Sequence, residues 1–218
     1  MTIPIKRDEN ILVVAREKLF QGGEFQGFMS VVSFDAYQAA ILEHCQFLPR
    51  SIMETDPRYK QIIPYLIFSH EDKFFLMQRT SVASEQRLKD KFLLGVGGHL
   101  RQEDMVKPDI ATWAHRELHE EIAYDGAYTM KPLGIINDER DMVGQVHIGF
   151  VFLVHAQEAT FSVKSELKQG RLVTREEIVP FYDRLESWSQ MVFDYLNLEF
   201  APSPSRHSAQ GLIPQDER

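Results

Sequence analysis

Gly97-Gly98-His99-Leu100-Arg101-Gln102-Glu103, followed by Arg116-Glu117-Leu118-His119-Glu120-Glu121-Ile122, decides how the rest of the chain is read. The paired glycines predict a tight loop, and the second stretch predicts a helix with its negative charge gathered on one side. With Glu117 as origin, Glu120 lies about 300° and Glu121 about 40° round the helix, so the three carboxylates share an arc of about 100°. Like charges three and four residues apart destabilise a helix by roughly a few tenths of a kcal/mol per pair. A hard divalent cation removes the conflict, because Mg²⁺ takes oxygen ligands and is held by one or two carboxylates plus substrate phosphates. An isolated E-x-x-E-E is most simply a solvated acidic face. Here Arg116, the apolar Leu118 and the upstream Gly-Gly accompany it.

These residues resemble the Nudix box, G-x5-E-x7-R-E-U-x-E-E-x-G-U with U apolar. Gly97 to Glu103 has the G-x5-E spacing, and Arg116 to Glu121 supplies R-E-U-x-E-E. Twelve residues rather than seven separate Glu103 from Arg116, and Ala123 stands where the closing glycine belongs, with Gly126 as a substitute turn. Counting from Gly98 puts Asp104 in place of Glu103 in the first acidic slot. Looser similarity runs from Ile11 to about Val154. Phe25-Gln26-Gly27-Phe28, Lys60-Gln61-Ile62-Ile63-Pro64-Tyr65 and Val143-Gly144-Gln145-Val146-His147 look like a bacterial Nudix group of predicted phosphoesterases.

The resemblance implies an α/β fold, an α/β/α sandwich around a mixed central sheet. It implies hydrolysis of the diphosphate in a nucleoside diphosphate linked to another moiety, with Mg²⁺ as cofactor and Mn²⁺ as its alternative. It makes Glu117, Glu120, Glu121 and the Gly98 carbonyl the metal ligands. Arg116 becomes the partner that holds a carboxylate in place, and Glu120 or Glu117 the general base. Glu139 and Glu166 are candidates for an assisting acid from a later loop. A non-catalytic module that senses a nucleotide or sugar is the alternative reading; a transcription regulator ranks last, because the chain after Phe200 is too short and polar for a winged helix.

At 218 residues, 44% hydrophobic and 26% charged, the chain has the composition of an ordinary globular protein with one sizeable core. The net charge of −8 argues against a nucleic-acid binder, which needs a basic surface. It does not argue against a phosphorylated small molecule, since a bound ion inverts the local sign. Cys45 is the single cysteine, so no intrachain disulfide forms; it reads as a small apolar residue in a helix. No apolar run approaches the roughly 18 residues of a membrane span. Met1 to Asn10 lacks a signal-peptide core, and a cytoplasmic location is expected.

Along the chain, Ile11 to Ala15 reads as a strand and Phe34 to Glu43 as a helix capped by Ser33. Arg50 to Pro57 reads as loop. Residues 1–56 form an accessory segment packed on the core, or part of a homodimer contact; 57–200 form the Nudix domain, and 201–218, rich in Pro and Ser, a flexible tail. Ile62 to Phe68 and Lys73 to Arg79 read as a hairpin, with Pro64 favouring an edge or bulge for the first strand. Arg87 and Lys89 are candidate phosphate contacts, read more simply as solvated charges. Pro108 suits a helix start, after which Ile110, Ala111, Ala114, Leu118 and Ile122 make an apolar stripe. Trp113 belongs in the core or at its rim. Tyr128 to Asn137 and Gln145 to His155 are strands, the second central, with His147 as a core histidine. Thr174 to Glu177 has capping-box spacing, and a helix over Tyr182 to Leu196 is expected to turn Met191, Tyr195 and Leu198 inward. Phe25, Phe28 and Tyr65 are candidates for a base-stacking surface.

Overall fold

Residues 8–79, 91–102, 109–160, 162–163 and 167–199 are described by the computed structural model. β1 (Asn10–Ala15) leads through α1 (Arg16–Leu19) to β2 (Gly27–Ser30), α2 (Phe34–His44), β3 (Cys45–Pro49) and α3 (Arg50–Met53). β4 (Tyr59–His70) and β5 (Lys73–Arg79) form a hairpin; β6 (Phe92–Leu93) and β7 (Gly95–Gly97) deliver the glycine loop. α4 (Ile110–Glu121) runs into β8 (Ile122–Ala123), followed by β9 (Tyr128–Asn137), α5 (Met142–Val146) and β10 (His147–Ala156). β11 (Ser162–Val163) and β12 (Leu167–Val173) precede α6 (Arg175–Ile178), a 3-10 segment over Val179–Arg184, and α7 (Ser187–Glu199).

The main sheet is mixed, in the order β12-β5-β4-β10-β9-β2, with β1, β3, β6 and β7 branching from it. β10 lies parallel to β4, Ile148 opposite Ile62 and Phe150 opposite Pro64. On its other flank β4 is met in turn by β1, β7 and β5. Pro64 is therefore not at an edge. It falls after the stretch paired with β1, which ends at Gln61, and before that paired with β7, which starts at Tyr65, so its missing N–H breaks no ladder bond.

Side chains alternate across a strand, and β4 shows what that does. Ile62, Leu66 and Phe68 join Phe150, Phe152 and Val154 against Ile110, Trp113, Ala114 and Leu118 of α4. Tyr65 and Ile67 join Val151 and Leu153 against Val192, Phe193 and Leu196 of α7. The architecture is thus an α/β/α sandwich with its core on both faces of one sheet. α2 completes the first layer, its Phe34 ring edge-on to Phe150 at 5.3 Å and Phe152 at 5.4 Å. β1 and β2, both before residue 57, pair with β4 and β9 in this same sheet.

Several local expectations change. Arg50–Met53 is helical rather than loop, closed by the Glu54 N–H on the Arg50 carbonyl. Cys45 opens β3 and is half-buried, instead of lying in a helix. The expected helix from Tyr182 is split: 3-10 geometry persists to Arg184, and α7 begins at Ser187. Leu198 is 80% exposed rather than inward; Met191 and Tyr195 pack against the core as expected, partly buried, beside the buried Val192, Phe193 and Leu196. α7 is apolar on several sides, so periodicity alone does not select its inner face. The capping box forms at Thr174 and Glu177 as its spacing requires. Among the described residues no helix is long and apolar enough to cross a membrane. The readings made on residues 201–218 and on Pro108 lie outside the described residues.

Candidate active site

α4 starts at Ile110. Asp109 is its N-cap, accepting from the Ala111 and Thr112 N–H groups at 3.3 and 3.1 Å. The helix buries Ile110, Trp113, Ala114, Leu118 and also Glu117, which is 2% exposed. Burying a carboxylate is costly unless it is paired or holds an ion. Glu117 lies directly against Gly98, where an added Cβ would stand 2.9 Å from Glu117 Cδ. A Cβ on Gly97 would meet Ile63 Cγ2 at 3.0 Å. The two glycines therefore let the loop pass between β4 and α4, bringing backbone and carboxylate together.

Arg116 joins the glutamates. Its Nη2 is 3.5 Å from Glu117 Oε2, and its Nη1 makes an ion pair with Glu120 one turn on. Arg101, from the glycine loop, reaches Glu120 at 3.4 Å. Glu120 is exposed, whereas Glu121, the last residue of α4, is half-buried. The structure thus gathers Gly98, Arg116, Glu117 and Glu120. Among the described residues, no three His, Cys, Asp or Glu side chains converge closely enough to hold an ion as placed. Glu103, Asp104, Arg87, Lys89 and Glu166 lie outside the described residues.

Beyond Gly98 the loop is fastened on two sides. Leu12 N–H of β1 donates to the Leu100 carbonyl at 2.7 Å, and Arg101 bridges to Ile11. His99 turns into the protein. His147 Nδ1–H donates to the Val143 carbonyl at 2.7 Å, leaving its Nε2 as an acceptor. Gln61 Nε2 donates to the Met53 carbonyl at 3.0 Å, so its Oε1 faces His99. His99 Nε2–H therefore donates to Gln61 Oε1 at 2.7 Å, with His147 Nε2 at 3.2 Å. Burial, with Arg50 and His147 adding to it, pushes the His99 imidazole down to about 3, and burial lowers His147 as well. Both rings are neutral at neutral pH. His99 stood in the quoted stretch, but nothing in the spacing signalled a partner at His147.

Glu139 is held in an ion network. Lys60, wholly buried, donates from Nζ to Glu139 Oε1 at 2.6 Å, the Gly144 carbonyl at 2.8 Å and the His147 carbonyl at 3.2 Å. Arg16 adds a second cation to Glu139 at 2.7 Å and a third link to Glu24 at 2.6 Å. Burial would raise Glu139, yet Arg16 and Lys60 hold it below the usual carboxylate range. Lys60 opens one of the stretches quoted for the looser similarity, but nothing there signalled Glu139 as its partner, and no sequence signal marked Arg16. Of the aromatic candidates, Tyr65 is buried with its hydroxyl 2.9 Å from Ser189 Oγ, Phe25 packs edge-on against Phe20 and Tyr37, and Phe28 stacks on Tyr195 at 4.3 Å.

No family model matches the chain. Protein YmaB of Bacillus subtilis (strain 168) is 34% identical over 208 residues, spanning 88% of this chain and 98% of that protein. The crystal structure of Tm1382, a candidate Nudix hydrolase, is 32% identical, covers 88% of this chain and 100% of its own, and superposes with a TM-score of 0.76. A bifunctional NMN adenylyltransferase/ADP ribose pyrophosphatase from Francisella tularensis shares the fold at 18% identity and a TM-score of 0.51, over 78% of this chain and 47% of its own. A likeness to Tm1382 that runs the whole length of that protein, joined to a glycine loop laid against the first glutamate of R-E-L-H-E-E, places this chain in the Nudix hydrolase family.

Proposed function

We propose that the protein is a Mg²⁺-dependent Nudix pyrophosphohydrolase that cleaves the diphosphate of a nucleoside diphosphate linked to another moiety, with Mn²⁺ as an alternative ion. The observation that carries this reading is the burial of Glu117 against Gly98. A carboxylate and a backbone carbonyl are hard oxygen donors, the set that suits Mg²⁺ and Mn²⁺. Glu117, the Gly98 carbonyl, Glu120 and Glu121 would hold the ion. Bound there, it would neutralise charge on the diphosphate oxygens and lower the pKa of a bound water.

The chain's own groups divide the remaining work. Arg116 ties Glu117 to Glu120 and fixes both side chains. Glu117, buried, suits a ligand; Glu120, exposed on the same flank and facing Arg101, suits the base that takes a proton from the attacking water. Arg101 and Arg116 supply positive charge close to where the phosphoryl oxygens become more negative. The test is release of nucleoside monophosphate, with the other phosphate left on the second moiety, from a panel of nucleoside diphosphate compounds with and without Mg²⁺, wild type against Glu120→Gln. The expected result is Mg²⁺-dependent turnover reduced at least a hundredfold in the variant. Unchanged turnover in Glu120→Gln would remove Glu120 from the reaction.

A further inference from the structure

Gly97 and Gly98 let the loop pass between β4 and α4, but a residue without a side chain does little to fix its own backbone. Gly97 is exposed and Gly98 half-buried, so burial alone does not hold the turn. The Gly98 carbonyl belongs to the planar peptide unit that ends at the His99 nitrogen. Its direction is therefore set by whatever fixes the backbone of His99.

That backbone is held from two sides. After it, the Leu100 carbonyl accepts from the Leu12 N–H of β1 at 2.7 Å. At His99 itself, the imidazole Nε2–H donates to Gln61 Oε1 at 2.7 Å, with His147 Nε2 at 3.2 Å. Gln61 and His147 are both buried, and they sit opposite each other where β4 pairs with β10. The protons in this cluster have one consistent arrangement. Gln61 spends an amide N–H on the Met53 carbonyl, and His147 spends its Nδ1–H on the Val143 carbonyl. Both then present acceptors to His99. A side chain with no N–H in that place takes away the donor that both face, and with it the tie between loop and sheet.

We infer that His99 is a positioning residue for the divalent ion: tied to Gln61 and His147, it holds the peptide unit that carries the Gly98 carbonyl and so sets metal affinity. The inference rests on the hydrolase reading above, in which that carbonyl is a ligand. His99 acts through Gly98, as partners that orient metal ligands do, and a ligand already held in place gives up less freedom on binding.

The test is calorimetric titration of Mn²⁺ alone into the full chain. His99→Phe keeps the bulk of the ring and removes the N–H; its affinity is expected to fall roughly tenfold, the size seen when such a partner is lost. His99→Gln restores an N–H at similar reach and should stay within about twofold of wild type. Gln61→Met removes the acceptor and should weaken binding like His99→Phe, which keeps the test decisive if His99→Phe does not fold. Val192→Ala, buried under α7 on the far face of the sheet, should lower the melting temperature and leave the affinity unchanged. Wild-type affinity in His99→Phe or, where that variant does not fold, in Gln61→Met overturns the inference. So does an affinity in His99→Gln as weak as in His99→Phe, or equal weakening in Val192→Ala. Absence of Mn²⁺ binding in the wild type overturns the hydrolase reading, and this inference with it; binding in the wild type that the His99 variants leave unchanged overturns this inference alone.

Discussion

Glu117 on α4 and Gly98 in the loop after β7 are packed against each other, with Glu117 Cδ 2.9 Å from where a Cβ at residue 98 would stand. This contact links the two halves of the box across the stretch that separates them in sequence. A methyl group at residue 98 must push the carboxylate or the loop aside. Gly98→Ala is therefore expected to cost about 1–3 kcal/mol of stability, the usual range for overpacking, and to weaken Mg²⁺ binding at least tenfold. Urea unfolding with and without Mg²⁺ measures both. Wild-type values would show that the contact constrains nothing.

Arg116 pairs with the buried Glu117 and also with Glu120. Removing it leaves a buried carboxylate short of positive charge. Arg116→Met should destabilise the metal-free protein by about 3 kcal/mol, because the guanidinium nitrogens and the Glu117 carboxylate are both buried. Saturating Mg²⁺ should recover more stability in the variant than in the wild type, since an ion that binds only the folded state stabilises it. Thermal melts across a Mg²⁺ series measure the difference.

The His99–His147 pair makes the fold sensitive to acid. His99 titrates near 3 when folded against an ordinary value of 6.5, so between those values the unfolded chain binds more protons. The stability this group contributes is complete above pH 6.5 and is lost as pH falls toward 3. From pH 7 to pH 5 the loss is about 2 kcal/mol, at roughly 1.4 kcal/mol per pH unit below 6.5. His99→Gln should flatten that slope, read by unfolding at a series of pH values.

Lys60 closes the loop between β9 and β10 with three hydrogen bonds. Lys60→Met keeps the apolar stem but takes a donor from the Gly144 and His147 carbonyls and removes one of Glu139's two cations. A loss of about 3 kcal/mol is expected, since breaking a buried ion pair is more damaging than never forming one. Chemical denaturation measures it. Burial already lowers the Lys60 ammonium, and Glu139 opposes that shift.

The helix after the glycine loop, the hairpin of β4 and β5, and the central apolar strand β10 were all legible because each carries its own period. What pattern could not supply was pairing across distance. The charge arc on α4 was read correctly as an arc, but which flank would be sealed by the glycine loop depends on β7 and β4. Glu117 thus proved buried and Glu120 exposed. His99 meets His147, and Lys60 meets Glu139, across long stretches of chain, and no local spacing encodes either. On α7, Met191 and Tyr195 were placed correctly against the core, but Leu198 was not, because apolar residues surround that helix on several sides.

The most direct test of the central claim, that buried Glu117 is there to hold a divalent ion, is the affinity for Mn²⁺ read by electron paramagnetic resonance in the wild type and in the near-isosteric Glu117→Gln. The account predicts at least a tenfold weaker affinity in the variant, with the fold intact by circular dichroism. Equal affinity in the two proteins would contradict it.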